Sequence, residues 1–294
     1  MAQYIKERRH AMGRLHDQMK MDLELKNYSD RTKGCYLACM RSFALYFGRS
    51  PKEMGDEQIR EYLYYLMKDK KASQSVINQT YSALKFFYET TLERQWNSLK
   101  IPRAKTRKRL PVVLSKQEVQ SIFSVTSNLK HRAILMTIYS GGLRVSEAAH
   151  LKVADVDSTR MTIHVRGKGD KDRYTLLGKR TLEILRVYWK VYRPDEWLFP
   201  GTILAEPINV SSIQKTFKKS LHKAGIKKAA SVHTLRHSFA THLLQGGTDL
   251  YYIQRFLGHS AASTTSVYLH ITGKDLGKIK SPIDLIADDD KPDL

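Results

Sequence analysis

The decapeptide HTLRHSFATH at 233–242 crowds His233, His237, His242 and Arg236 into one short helical segment. Two chemistries suit such a cluster, cation binding and anion binding. His233 and His237 are spaced i, i+4 and share a helical face, as a metal pair would. A zinc site needs a third or fourth ligand of suitable geometry. His242 lies five residues further on and is rotated away, and no glutamate of the HExxH type stands between the pair. Arg236 would repel any cation held there. An arginine, in contrast, is rarely buried without an anion or acceptor. The segment therefore reads as an anion grip with no metal, and His237 and His242 read as packing histidines.

Three other places repeat the theme. SGGLRVSE sets Arg144 just after Gly141-Gly142 and close to a helix start, where unpaired N–H groups favour anions. Glu147, three residues on, reads as a helix cap or as the partner that orients a neighbouring cation, outside the reacting set. RGKGDKDR puts Lys168 at a hairpin tip between Gly167 and Gly169, with Lys171 as the competing lysine. Finally, LGHSAASTTSVYLH sets His259 nine residues before Tyr268, and Tyr268 lies 32 residues after Arg236.

The elements that must position these groups fall into two parts. Residues 1–99 read as entirely helical. Ser29 or Asp30 caps a helix whose Tyr36, Met40, Phe43 and Phe47 recur at spacings of three and four. Asp56 caps another with Ile59, Leu63 and Leu66 on one face, and SQSVINQTYSALKFFYETTLER makes a third. Residues 100–111 lie between Leu99 and Val112, contain Pro102 and Pro111, and carry Lys100, Arg103, Lys105, Arg107, Lys108 and Arg109. Lost periodicity marks this stretch as a linker, and its charge suits a phosphate backbone or a nuclear-localisation patch. Beyond it, Ser115 and Glu118 form a capping box, two helices break at Gly141-Gly142, and MTIHVRGKGDKDRYTLL alternates as a hairpin. Helices over 179–192 and 210–223 precede HTLRHSFATHLLQGG and DLYYIQRFLGH. Domain boundaries are expected at 1–99, 100–111, 112–281 and an acidic tail over 282–294.

Composition narrows the partner. The chain of 294 residues carries 50 Lys+Arg against 29 Asp+Glu, a formal net charge of +21. Such an excess favours a polyanion, since each neutralised phosphate releases condensed counterions. Anionic membrane is the competitor, yet no apolar run reaches the roughly 18–20 residues a bilayer span needs. MAQYIKERRH lacks the apolar core of a secretory signal. Cys35 and Cys39, four apart, sit on adjacent turns of one helix, where a crosslink gains little. Reduced thiols, a cytoplasmic bacterial location and nucleic acid as partner are the expectation.

The ordered set Arg144, Lys168, His233-x-x-Arg236, His259 and Tyr268 resembles the catalytic signature of the tyrosine recombinases, or phage integrase family. The phrases SGGLRVSEAAHL, RGKGDKDR, HTLRHSFATHLLQGGTD and FLGHSAASTTSVYLH match it, most closely in the Xer, transposon and integron branch. The likeness is close from about 112 to 275; the N-terminal part resembles the family's core-binding domain only in pattern. It implies a mainly α protein: a helical, SAM-like core-binding domain plus a mixed α/β catalytic domain with a small antiparallel sheet, together clamping double-stranded DNA. It further implies Tyr268 as nucleophile, Arg144 and Arg236 on the phosphate, His233 in proton handling, His259 hydrogen-bonded to the phosphate and Lys168 protonating the leaving 5′ oxygen. No cofactor is required. Four protomers would synapse two DNA sites, with room for an accessory DNA-bending protein, in integration, excision, resolution or transposition of DNA elements. The segment over 277–294 would dock on a neighbouring protomer.

Two readings stand beside this one. A type IB topoisomerase shares the tyrosine chemistry but acts at a single site. A non-catalytic DNA-binding protein on the same scaffold would bind without ever becoming covalent.

Overall fold

The computed structural model describes residues 2–104, 110–167 and 172–258, with side chains from residue 13 onward. Lys168, Lys171, His259, Tyr268, the middle of the basic stretch and both the 277–294 segment and the acidic tail lie outside the described residues. The chain divides into two compact units, residues 1–108 and 109–294.

Unit 1 holds helices α1 (Ala2–Leu25), α2 (Asp30–Phe47), α3 (Asp56–Lys68) and α4 (Gln74–Phe86). Ser29 is the N-cap of α2, its hydroxyl accepting the Thr32 N–H, and Gly48 ends the helix at φ 61°. Asp56, expected as a cap, is instead the first residue of α3. Gly55 takes the cap position in extended backbone, and the Gln58 side chain reaches back to accept its N–H at 2.9 Å. Asp56 then adds negative charge to the first turn, where the helix dipole favours it.

The third helix also ends earlier than its pattern suggests. After Phe86 the backbone widens into a π turn, Phe87–Thr91, which Leu92 caps. Glu93 adopts φ 53°. Arg94 then ties the chain down by donating to the carbonyls of Met54 (3.1 Å) and Lys52 (2.7 Å). Trp96 donates its indole N–H to Tyr81 Oη at 3.0 Å, so it stays buried with its one polar atom satisfied. Residues 1–99 are thus not helical throughout. The core beneath is aromatic: Phe43, Tyr62, Phe87 and Trp96 pack with Met19, Leu23 and Leu84. Cys35 and Cys39 are free thiols.

Unit 2 carries α5 (Lys116–Val125), α6 (Leu129–Gly141), α7 (Val145–Ala149), α8 (Lys179–Tyr192), α9 (Val210–Lys223), α10 (Val232–Gln245) and α11 (Leu250–Leu257). Its sheet has strands β1 (Val156–Asp157), β2 (Thr162–Val165) and β3 (Arg173–Leu176), antiparallel and in sequence order. The Ser115–Glu118 capping box forms in both directions, at 3.1 and 2.6 Å. Helix α6 is the hub. Ala133, Ile134, Leu135 and Ile138 are wholly buried, as expected of a helix that packs on several sides at once. A smaller apolar cluster, Phe239, Ala240, Leu244, Ile253 and Leu257, joins α10 to α11. Among the described residues no helix is long and apolar enough to cross a membrane. The structure is mainly α-helical with one small antiparallel sheet, as expected.

Candidate active site

The break at Gly141-Gly142 builds the first wall of the site. Gly142 caps α6 at φ 60° in the left-handed region, and an added Cβ would stand 2.3 Å from Phe239 Cδ1. Only glycine fits there. The chain then turns through Leu143, and Arg144 becomes the N-cap of the short helix α7. One of the N–H groups at this helix start is already engaged: Arg144 N donates to Glu147 Oε2 at 2.7 Å. Glu147 therefore caps its helix and orients a cation at once, since Arg144 Nη1 also donates to its Oε1 at 2.6 Å.

Helix α10 supplies the second wall. Arg236 is 3% exposed, so every N–H that faces inward needs an acceptor. Its Nη1 donates to Gly142 O at 2.7 Å and its Nη2 to Leu257 O at 2.6 Å. Nη1 also stands 3.7 Å from Glu147 Oε2. The guanidiniums of Arg144 and Arg236, from segments 92 residues apart, thus meet at one carboxylate.

A third arginine completes the cluster, and the sequence reading passed over it. Arg173 opens β3 and donates through Nη1 and Nη2 to the two oxygens of Glu147 at 2.9 and 2.7 Å. Its Nε donates to Phe256 O at 2.8 Å. A signal for it existed. Strand side chains alternate, so Arg173 shares a face with Thr175, which is buried and donates to Gly141 O. An arginine on the inward face of a strand implies a buried anion or acceptor opposite.

The three arginines also grip three consecutive carbonyls at the end of α11: Arg173 on Phe256, Arg236 on Leu257, and Arg144 on Gly258 at 3.5 Å. A helix C-terminus presents unpaired carbonyls and the negative end of the dipole, so it seats cations well. Burial acts to raise the Glu147 pKa. The hydrogen bonds and charge of Arg173, then the hydrogen bonds of Arg144, outweigh burial and hold the carboxyl at about 2. Arg144 alone of the three keeps substantial exposure, 39% of its side chain. It faces a cleft of about 1010 Å³ that Lys152, Arg166, Gly167, Asp172 and Gly258 also line.

His233 sits on α10 one turn before Arg236. Its pKa lies below the ordinary value, first because of burial and then because of Arg236 and Arg144, so the neutral ring is favoured. His237 is pushed down to about 4 by burial, His233 and Arg236. His242 pairs with Tyr139, Nδ1 to Oη 2.8 Å, which accords with a packing role. Among the described residues no group of three or more His, Cys, Asp or Glu side chains could hold a metal ion. Of the six residues read from the sequence, the structure brings Arg144, His233 and Arg236 into one region of unit 2. Lys168 follows Gly167, and His259 follows Gly258, both glycines lining the same cleft.

Comparison with known proteins decides the family. The profile of the Phage integrase family matches residues 112–274, and that of the Phage integrase, N-terminal SAM-like domain matches residues 15–98. The chain belongs to the phage integrase family. Within it, the Sinorhizobium fredii protein y4qK, provisionally named an integrase/recombinase, is 42% identical over 277 residues, spanning 94% of this chain and 90% of the relative. Tyrosine recombinase XerD of Staphylococcus aureus is 32% identical over 274 residues, covering 86% and 92% of the two chains. Among solved structures, XerH site-specific recombinase bound to a palindromic difH substrate aligns with a TM-score of 0.72 at 22% identity, over 88% of this chain and 82% of that one. That likeness concerns the fold. As a phage integrase family member, this chain is an enzyme of DNA strand breakage and rejoining, a site-specific recombinase that works through phosphotyrosyl chemistry.

Proposed function

We propose that Arg144 and Arg236 grip the non-bridging oxygens of a scissile DNA phosphate while Tyr268 attacks it in line. The Tyr268 phenol oxygen forms a bond to phosphorus and the bond from phosphorus to the 5′ oxygen breaks. The product is a 3′-phosphotyrosyl link and a free 5′-hydroxyl. His233 handles the phenol proton, His259 hydrogen-bonds the phosphate, and Lys168 delivers a proton to the leaving oxygen. A phenol with a pKa of about 10 is a poor nucleophile near neutral pH, which is why flanking cations and a base are needed. The link conserves the energy of the phosphodiester, so a second 5′-hydroxyl reverses the step without a nucleotide cofactor.

One observation carries the reading: two arginines from distant segments converge on Glu147 beside a cleft, with Arg144 turned to solvent. Planar guanidiniums held this way suit bidentate contact with phosphate oxygens, and fixed donors are most effective where charge develops in the transition state. The lowered pKa of His233 supports a neutral ring able to accept a proton. The net charge of +21 supports a duplex as substrate. The enzyme acts in the cytoplasm as a tetramer on two synapsed sites, with residues 277–294 docked on a neighbouring protomer. The solved lambda integrase tetramer bound to a Holliday junction supports a tetramer on DNA.

The test uses a nicked suicide duplex carrying the recombination site. Wild type accumulates an adduct that survives denaturation, and Tyr268→Phe binds the duplex but forms none. An adduct from the phenylalanine variant would remove Tyr268 from the mechanism. Cleavage that needs neither a particular sequence nor a second site would favour the topoisomerase reading. Unchanged assembly after deletion of 277–294 would exclude the docking role.

A further inference from the structure

Arg173 has no place in the cleavage steps above, yet its guanidinium makes three hydrogen bonds within the cluster. Its side chain is 9% exposed and that of Glu147 10%, so both charges have left water. A buried ion pair of that kind is costly to assemble unless its geometry is good, and here the pairing is a parallel fork at 2.9 and 2.7 Å. The backbone at Gly258 lies directly on the Arg173 side chain: a Cβ there would come within 2.9 Å of Arg173 Cδ. Arg173 is thus fixed on three sides, by Glu147, by Phe256 O and by Gly258.

The charge balance shows what this fixture does. Glu147 is in reach of three guanidiniums. With Arg173 present, one carboxylate faces three cations. Without it, the same carboxylate would face only Arg144 and Arg236, the two groups a phosphate must recruit. Each would then be drawn more strongly to Glu147, and a phosphate would enter a site with one positive charge fewer. The Glu147 carboxyl is also held low chiefly by Arg173, which agrees with Arg173 as its principal partner.

We propose that Arg173 is a positioning residue for strand cleavage: its fork onto Glu147 neutralises that carboxylate and leaves the charge of Arg144 and Arg236 to a backbone phosphate. The identity of the anion rests on the recombinase reading; the charge balance does not. The proposal separates charge from tethering. If Arg173 serves by charge, removing the charge of Glu147 compensates for its loss. If it is only a structural tie, the second substitution adds damage.

Arg173→Gln, Arg173→Lys, Glu147→Gln and the double variant Arg173→Gln/Glu147→Gln are compared for the initial rate of adduct formation on the suicide duplex. Arg173→Gln loses on the order of tenfold to a hundredfold in rate, as expected when a preorganised positive charge is cancelled. Arg173→Lys keeps the charge without the fork and retains more activity than the glutamine variant. The double variant cleaves faster than Arg173→Gln alone, with DNA affinity unchanged. A second readout needs no cleavage: the rise in thermal midpoint caused by inorganic phosphate shrinks in Arg173→Gln and returns in the double variant. Where the glutamine variant does not fold, Arg173→Lys against Arg173→Lys/Glu147→Gln gives the same comparison, the double variant being equal or faster. A double variant slower than its single parent, in cleavage and in phosphate stabilisation, overturns the proposal. No adduct from wild type, with the phosphate response still following the charge balance, would instead sink the recombinase chemistry and leave the role of Arg173 standing.

Discussion

Gly142→Ala is a small change whose cost can be worked from the geometry. The residue sits at φ 60°, where an L side chain costs about 1–2 kcal/mol. The new methyl would stand 2.3 and 2.5 Å from Phe239 Cδ1 and Cε1 and 3.1 Å from Leu257 Cδ2. Phe239 and Leu257 belong to the buried cluster between α10 and α11, so neither ring nor leucine can swing into solvent. Overpacking of a filled core adds about 1–3 kcal/mol. The sum is about 2–5 kcal/mol. Gly225 is the control, because it has φ 70° and nothing within 4 Å of an added Cβ. Gly225→Ala therefore isolates the backbone part, about 1–2 kcal/mol. Urea unfolding of the two variants measures the difference. Function should part them further. Gly142 O and Leu257 O both accept from Arg236, so relief of the clash must move the guanidinium that they seat. Gly142→Ala should lose adduct formation under conditions where it is still folded, while Gly225→Ala cleaves like wild type. Equal stability losses in the two variants, or full cleavage by Gly142→Ala, would refute the assignment of this glycine to the seat of Arg236.

His237 stays neutral in the fold, with its pKa at about 4 against an ordinary 6.5. The unfolded chain takes up that proton first, so stability falls as pH drops from about 6.5 to about 4 and levels off below, by at most about 3 kcal/mol. His237→Gln should flatten urea midpoints across that window, and an unchanged slope would reject the assignment. Chelation tests the source of transition-state charge: with Arg144 and Arg236 proposed to supply it, EDTA should leave the adduct rate of wild type intact, and its abolition would return HTLRH to a metal reading. Tyr139→Phe removes the hydrogen bond to His242 Nδ1 at 2.8 Å and should cost about 1 kcal/mol in urea unfolding while leaving DNA cleavage within a factor of about two.

Much of this architecture is legible in the residue order because local chemistry sets it. Ser29, Ser115 and Glu118 cap where their types and spacing say they should, and the alternation over 161–177 does make paired strands. The misses have tertiary causes. No glycine or proline in TYSALKFFYETTLER announces a stop. The helix ends through Glu93 at φ 53° with Arg94 N–H donating to Tyr88 O, and the Arg94 guanidinium reaches carbonyls some 40 residues earlier. The capping role passes from Asp56 to Gly55 because Gln58 can satisfy the glycine N–H itself. Arg144 and Arg236 stand out by residue type and setting, and the structure brings both to Glu147. Arg173 was not singled out, because its meaning depends on Glu147, 26 residues away on another element.

That dependence bears on how such a site can exist before any DNA arrives. Two like charges about 4 Å apart repel by about 4 kcal/mol at an effective dielectric near 20. Three guanidiniums gathered at one carboxylate would scatter without further acceptors. Glu147 answers one of them, and the carbonyls of Phe256, Leu257 and Gly258 at the end of α11 answer the cluster as a whole. Carbonyls compensate with partial charges, so the cluster remains net positive with its geometry fixed. A phosphate then meets donors that need little rearrangement, which is the condition under which electrostatic catalysis is most effective. The seat of the arginines is therefore set by the single turn of backbone that ends α11.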